Sequence, residues 1–555
     1  MRKFSCCFLM ILIVLPLLGC QSQPDEAAVK PNFLVIVADD MGWTDLGCFG
    51  SEIQTPNLDT LAKEGVSFTD FHVSMSCSPT RSMLLTGTDN HIAGLGTMAE
   101  LLTEELAGVP GYEGHLNDRV VTVAEVLREE GYHTYMAGKW HLGHDAGHYP
   151  FDRGFGRSIS MLYGGASYWS DMSGVLARVQ EVAKYVLDGE ELKSLPRDFY
   201  ATRSYTDYLM DFIRENRDDG KPFLAYLAFT APHDPLHVPE PWRSKYKGQY
   251  DEGYAALKSG RSQGARQAGI LSSRIEPASL HPMAAAWGSL TPEQKTYESR
   301  AMEVYAGMVD NMDYNVGRII RFLKDINEYD NTIIIFMSDN GSNPLTNADY
   351  SPGEAGREFL AKFDNSLDSL GSPKSHYAYG VGWGSACSGP LDFFKMTVGE
   401  GGIRSPMIIS GPGVIGGRQV DAFSYVIDIM PTILELADLV HPEEFRGRRV
   451  EPMRGHSITG LLSGARENVY ANDEYVGGEM GANKWMRQGD YKAIYVPGPY
   501  GPEHWRLFNV VEDPGETTDL SKEKPKLLAR LKAAWDQYAD DVGVVPVAAG
   551  MDVLN

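Results

Sequence analysis

Basic residues are in short supply in this chain. Across 555 residues, 50 Lys and Arg stand against 74 Asp and Glu, a formal net charge of −24. A nucleic-acid partner needs a basic face to displace counterions from phosphate, so that class is excluded. Cysteine is scarcer still, with six in all. So few in so long a chain argue against a framework of disulfides. Long apolar runs are missing too: Phe8 to Leu18 falls short of the roughly 20 residues that cross a bilayer. No segment repeats. With 43% hydrophobic and 22% charged residues, the chain is neither disordered nor polytopic. The acid surplus sets one condition: an anionic substrate must be met by a local cluster of cations.

Arg2 and Lys3 followed by the Phe8–Leu18 run and a small-residue ending have the form of a secretory signal over residues 1–19. The ending Leu17-Leu18-Gly19-Cys20 resembles a bacterial lipobox, which makes Cys20 the lipidated first residue of an exported, periplasmic or cell-surface lipoprotein. An ordinary signal peptide cut near Cys20 is the alternative. Residues 20–30 are polar and read as a tether, leaving the membrane as a partner through the lipid alone. Three cysteines then remain, Cys48, Cys77 and Cys387, and an odd number leaves at least one needing another explanation.

Asn32–Ala38, His133–Ala137, Pro222–Phe229 and Thr332–Met337 are short apolar runs suited to strands buried on both faces. Helical patterns separate them, at Val121–Glu130 and over the long stretch Tyr297–Lys324, where apolar residues recur at spacings of three and four. The expected fold is α/β, with a large, mainly parallel central sheet flanked by helices over residues 31–465. Residues 466–555 hold aromatic and β-branched runs and then Pro525–Tyr538, which predict a small antiparallel sheet with a closing helix. Residues 241–290 and 341–392 read as long loops, a length often tied to function.

Each expected strand ends in chemistry: Asp39-Asp40, Lys139-Trp140-His141, Ala231-Pro232-His233 and Ser338-Asp339-Asn340. Ligands of open α/β sheets sit beyond the carboxyl ends of strands, so these four segments point to one shared site. Cys77-Ser78-Pro79-Thr80-Arg81 opens a helix, with Pro79 in its first turn and Cys77 just before an anion-favouring N-terminus.

That segment, continuing into Leu84-Leu85-Thr86-Gly87, strongly resembles the type I sulfatases of the alkaline phosphatase superfamily. Met75 departs from the small residue usual there. Asp39-Asp40, Gly138–Gly143, Ala231–His233, Ser338–Gly341 and Glu400–Arg404 resemble further family blocks in family order, and Leu507–Leu520 resembles the family's C-terminal domain. Asp89–Leu101 and Tyr379–Lys395 look closer to bacterial arylsulfatases.

The resemblance implies a sulfatase that hydrolyses sulfate monoesters, aryl sulfates in assay and sugar sulfates in nature. It implies that a formylglycine-generating maturation enzyme oxidises Cys77 to formylglycine, whose hydrate attacks sulfur. Asp39, Asp40, Asp339 and Asn340, with modified Cys77, are the expected ligands of one divalent cation. Hard oxygen donors suit calcium, and magnesium less well. Arg81 and Lys139 correspond to residues that hold the formylglycine hydroxyls, and His141 to the base that deprotonates one of them. His233 and Lys395 correspond to residues that grip the sulfate, with His233 the acid for the leaving group. One rival is a phosphonate or phosphate monoester hydrolase on the same scaffold; another is a non-catalytic lipoprotein that binds sulfated glycans.

Among the other histidines, His72, His91, His144, His237 and His376 lie near the motifs and read as support behind the site or as pocket wall. The aromatics Tyr163, Tyr168, Trp169, Tyr377, Tyr379 and Trp383 either line a leaving-group pocket or pack the insertions. Cys48 and Cys387 read as free buried thiols, with a bond between them as the alternative.

Overall fold

In the run Asn32–Ala38 alternate residues go to opposite sides. Phe33, Val35 and Val37 enter one hydrophobic cluster, and Leu34, Ile36 and Ala38 enter another. A strand with both faces buried must lie inside a sheet covered by two layers. A computed structural model describes Met1 and residues 30–176 and 181–547. The expected leader after Met1, Cys20 and all of the tether but Lys30 therefore lie outside the described residues. The described residues from Pro31 onward form one compact unit. No described helix is long and apolar enough to cross a membrane.

The central sheet contains β1 (Asn32–Ala38), β2 (Val66–His72), β3 (His133–Lys139), β4 (Arg157–Met161), β5 (Tyr185–Leu187), β6 (Glu190–Leu192), β7 (Phe223–Ala228), β8 (Thr332–Ser338), β9 (Arg404–Ser410), β10 (Arg418–Val420) and β11 (Ser424–Tyr425). Its order is β10-β2-β9-β8-β1-β7-β3-β4-β5-β6, with β11 paired to β2. The middle strands β8, β1, β7, β3 and β4 run parallel. β9 runs antiparallel between β2 and β8. Ala38 pairs with Ser338, Val37 with Ala228, and Ala228 with Gly138. The carboxyl ends of β8, β1, β7 and β3 thus lie side by side, which is what brings their polar continuations together.

Helices Cys77–Thr86, Val123–Glu129 and Ile429–Leu436 contribute to one apolar layer, and Ala201–Asn216 and Pro292–Asp325 to the other. Each fully buried Leu, Ile, Val or Phe contributes about 1.5–3 kcal/mol. The long helix starts earlier than its apolar periodicity suggests. Thr291 and Gln294 form a capping box and Pro292 occupies the first turn, so polar residues extend it toward the N-terminus.

The segments read as long loops contain helices instead. Tyr254–Gln267 and Gly380–Cys387 pack together, and Gly353–Leu360 adds another. Gly253, Gly382 and Gly384 lie close to neighbouring atoms, and such glycine-rich packing does not produce a recognisable apolar period. After the short pair β12 (Glu444–Phe445) and β13 (Arg448–Arg449), the strands β14 (Tyr475–Met480), β15 (Asn483–Gln488), β16 (Tyr491–Tyr495) and β17 (Trp505–Asn509) form an antiparallel sheet. Leu531 and Trp535 of the helix Pro525–Val542 cover Met486, Ala493 and Leu507. Met480, Trp485, Ile494 and Phe508 instead join the main core.

Candidate active site

β1 delivers Asp39 and Asp40, and the backbone at Asp40 takes a positive φ of 66° to turn away from the sheet. Such a conformation in a non-glycine residue is held by its surroundings. Here the Asp40 N–H donates to Asp339 Oδ1 at 3.3 Å, and the Met41 N–H donates to Ser338 Oγ at 3.0 Å. The ends of β1 and β8 are therefore tied together directly. Asn340 donates from Nδ2 to Asp40 Oδ1 at 2.7 Å. Its Oδ1 is buried and has no hydrogen-bond partner.

Cys77 is the first residue of its helix, slightly earlier than expected, because Ser76 already takes the extended N-cap conformation. Its Sγ lies 3.5 Å from Asp39 Oδ1, 3.9 Å from Asp40 Oδ1 and 3.3 Å from Lys395 Nζ. Burial pushes the Cys77 thiol well above its ordinary value, against the pull of Lys139 and Lys395. One turn on, Arg81 donates from Nε and Nη2 to Asp339 Oδ2 at 2.9 and 2.7 Å and from Nη1 to the Lys139 carbonyl at 3.1 Å.

The two lysines divide the paired aspartates between them. Lys139 Nζ meets both carboxylate oxygens of Asp39 at 2.9 and 2.8 Å, and Lys395 Nζ meets both of Asp40 at 2.7 and 2.8 Å. Lys139 reaches this place because β3 can press against β7. A Cβ at Gly138, whose φ is 130°, would stand 1.8 Å from the Ala228 carbonyl oxygen, so only glycine fits. Burial pushes Asp39 up to about 7 although Lys139 opposes it. Asp40 goes the other way: burial is outweighed by Lys395, His233 and Lys139.

His233 Nδ1 donates to the Asp234 carbonyl at 2.6 Å, and its Nε2 lies 3.4 Å from Asp40 Oδ2. Burial lowers its pKa to about 3, so the ring is neutral near pH 7. The Tyr168 hydroxyl lies 2.7 Å from both the Thr230 and His233 carbonyls, bracing this turn from below. His141 bonds Glu100 through Nε2, at 3.0 and 3.1 Å, and its Nδ1 is buried without a partner. It is near enough to Lys139 and Arg81 to feel both charges.

Asp39, Asp40 and Asp339 are three acids buried beside three bases, Arg81, Lys139 and Lys395. A balanced set has no surplus positive charge for an anionic ester; adding a divalent cation creates one. One ligand atom each from Asp39, Asp40, Cys77 and Asp339 lies within 4.8 Å of the others, a spacing that suits a metal ion. The unsatisfied Asn340 Oδ1 adds a neutral oxygen donor, and buried oxygens without partners are costly unless something binds them. These hard donors fit a calcium-type ion.

A second buried cluster, Asp70, His72 and Glu400, lies where β2 meets the C-terminal sheet. Protein cations fill it: Lys492 bonds Glu400 at 2.6 Å and Glu516 at 3.1 Å, and Arg487 bonds Asp70 at 2.8 Å. His72 is thereby accounted for. His91 lies between Asp89 and Glu479, His144 stacks on Tyr163, His237 bonds the Ser375 carbonyl, and His376 packs near Phe359 and Phe363. Tyr168, Tyr379 and Trp383 are core residues, whereas Tyr163, Trp169 and Tyr377 are only partly buried. Cys48, Cys77 and Cys387 are free thiols. Sequence reasoning missed Glu100, because a carboxylate in a short turn carries no period or motif of its own.

A family model described as Sulfatase matches residues 31–439, and one described as N-sulphoglucosamine sulphohydrolase, C-terminal, matches residues 391–539. An uncharacterized sulfatase of Schizosaccharomyces pombe is 43% identical, over 93% of this chain and 94% of its own. An arylsulfatase of Klebsiella aerogenes is 38% identical, over 78% of this chain and 92% of its own. Among solved structures, Ps i-CgsB in complex with k-i-k-neocarrahexaose superposes with a TM-score of 0.64 at 24% identity, covering 92% of this chain and 93% of that one.

Proposed function

The chain belongs to the sulfatase family and is a sulfuric ester hydrolase, and from that premise we propose that it cleaves sulfate monoesters using Cys77, matured to formylglycine, beside one bound calcium ion. The observation that carries this reading is the convergence on Cys77: the buried thiol at a helix N-terminus, with Lys395 at 3.3 Å and Asp39 at 3.5 Å. A cysteine serving only to pack would not need three buried acids and three buried bases around it.

Asp39, Asp40, Asp339, Asn340 and residue 77 would hold the cation. Bound there, calcium lowers the pKa of a coordinated hydroxyl and offsets charge on the sulfate oxygens. Lys139, Lys395 and His233 bind and orient the sulfate. Arg81, locked by Asp339 and the Lys139 carbonyl, keeps residue 77 and the cation ligands in register. His233 Nδ1 donates to the Asp234 carbonyl, so in the neutral ring Nε2 carries the lone pair and must take up a second proton before it can pass one to the leaving group. A phenol, with a pKa near 10, needs that proton less than an alcohol does. His141 accepts a proton when sulfate is released.

For the natural ester we propose a sugar sulfate, on the strength of the C-terminal match to a sulphohydrolase of N-sulphoglucosamine and the neocarrahexaose held by a fold neighbour. We take residues 31–465 as the catalytic part and 466–555 as the C-terminal part. We also propose export as a Cys20-anchored lipoprotein, which metabolic labelling with a fatty acid would test against Cys20→Ser. For the activity, protein made with a formylglycine-generating enzyme is assayed with nitrophenyl sulfate and nitrophenyl phosphonate. Preference for the sulfate, abolished in Cys77→Ala, supports the reading. Preference for the phosphonate overturns it.

A further inference from the structure

One buried carboxylate close to this site has no role in the account above. Glu100 lies in the one-turn 3-10 helix Ala99–Leu101. The preceding residue, Met98, fastens the turn beside the nucleophile, its Sδ taking the Ser76 hydroxyl at 2.9 Å. From there both Glu100 oxygens reach His141 Nε2, at 3.1 and 3.0 Å. The two side chains keep only 7% and 5% of their surface exposed, so water does not compete for the bond.

A carboxylate accepts hydrogen bonds, so a bond of this length places a proton on Nε2. In the neutral ring the other nitrogen, Nδ1, then carries a lone pair. That atom is buried and unpartnered. The ring is also closely bounded beside Cε1 and Nε2. A Cβ on Gly164 would stand 3.0 Å from Cε1 and 3.2 Å from Nε2, so a side chain at that position would crowd the ring. His141 itself has a φ of 58°, another conformation its surroundings must hold.

We propose that Glu100 is the positioning residue of His141: it fixes the imidazole as the Nε2–H tautomer and so leaves Nδ1 as the proton acceptor of the sulfate-releasing half of the reaction. Burial alone would leave the ring free to choose either tautomer, and the wrong one presents a donor where an acceptor is needed. A carboxylate also stabilises the imidazolium that forms once Nδ1 takes its proton. The proposal rests on the sulfatase reading, and its test separates the two.

The test compares wild type, Glu100→Gln and Glu100→Asp. With a nitrophenyl sulfate, His141 acts after the ester bond is cleaved. Glu100→Gln is expected to lower kcat by at least about tenfold, toward the 10²–10⁴ that proton transfer contributes. Because kcat/KM reports only the steps up to cleavage, it stays within about twofold and KM falls with kcat. Glu100→Asp restores part of kcat. A parallel fall of kcat and kcat/KM in Glu100→Gln would overturn the proposal and assign Glu100 to packing. A second readout needs no turnover. In the Cys77→Ala background, ¹⁵N spectra of the His141 ring should show Nε2 protonated, with a mixed or reversed tautomer after Glu100→Ala. An unchanged tautomer would also overturn the proposal. Wild type without sulfate-ester hydrolysis would instead sink the sulfatase reading and leave the tautomer result standing.

Discussion

Asn340 gives its side-chain amide hydrogen to Asp40 Oδ1 at 2.7 Å and keeps its side-chain oxygen Oδ1 buried with no hydrogen-bond partner. That oxygen points to a cation bound by Asp39, Asp40, Asp339 and Asn340. Calcium at 100 times its Kd is expected to stabilise wild type by about 2.7 kcal/mol. Asn340→Ala should lose most of that gain, and Asp40→Asn all of it. Thermal denaturation with calcium and with a chelator checks this. Equal calcium shifts in all three proteins would contradict it.

Lys395 offsets a buried carboxylate even before substrate arrives. Removing one partner of a buried ion pair costs about 3–5 kcal/mol. Lys395→Met should therefore lose about that much in urea unfolding without calcium, and less with calcium present, because the ion takes over the charge of Asp40. Its kcat/KM for a sulfate ester should fall by more than about 100-fold, roughly 2.7 kcal/mol of transition-state stabilisation. Titration across calcium concentrations separates the two effects.

His91, whose partners are carboxylates other than the cation ligands, makes stability depend on pH. It hydrogen-bonds Asp89 at 3.0 Å on one side and Glu479 of β14 at 3.0 Å on the other. Burial opposes its charge, but those two bonds overcome it and push His91 up to about 9 from an ordinary 6.5. A histidine raised in the folded state contributes fully below pH 6.5 and loses that contribution as pH rises through 9. The unfolding free energy should drop by about 3 kcal/mol between pH 6.5 and 9 from this group. His91→Gln should flatten the slope in that window while lowering stability at pH 6. A slope identical to wild type would contradict the assignment.

Gly138→Ala should be worse than its single methyl suggests. The added carbon would meet the Ala228 carbonyl at 1.8 Å and occupy a φ of 130°, so β3 must part from β7 next to Lys139. Loss of soluble protein, or of more than about 3 kcal/mol in denaturant unfolding, is expected. Gly131→Ala is the control: its φ is also positive, but nothing stands within 4 Å. It should cost about 1 kcal/mol or slightly more.

The parallel middle of the sheet was legible because Asn32–Ala38 and Thr332–Ser338 are buried on both faces and so carry unbroken apolar runs. The same logic exposed the polar strand ends. β2 escaped notice because Val66–His72 interleaves Ser67, Thr69 and Asp70, polar residues that are buried all the same. β9 was hidden by Pro406. The helices within residues 241–290 and 341–392 were hidden by glycines that serve close packing. At the site, Cys77, Arg81, Lys139 and Lys395 stood out through motif context. Glu100 and the His72–Glu400–Lys492 network did not, since tertiary contact alone brings their members together.

The chemistry proposed for the site turns on the identity of residue 77. The most direct measurement is mass spectrometry of the peptide containing Cys77, taken from enzyme that is active on a sulfate ester and was made with a formylglycine-generating enzyme. The expected result is the mass of an aldehyde in place of the thiol, with activity rising in proportion to the converted fraction. An unmodified thiol throughout fully active protein would contradict it.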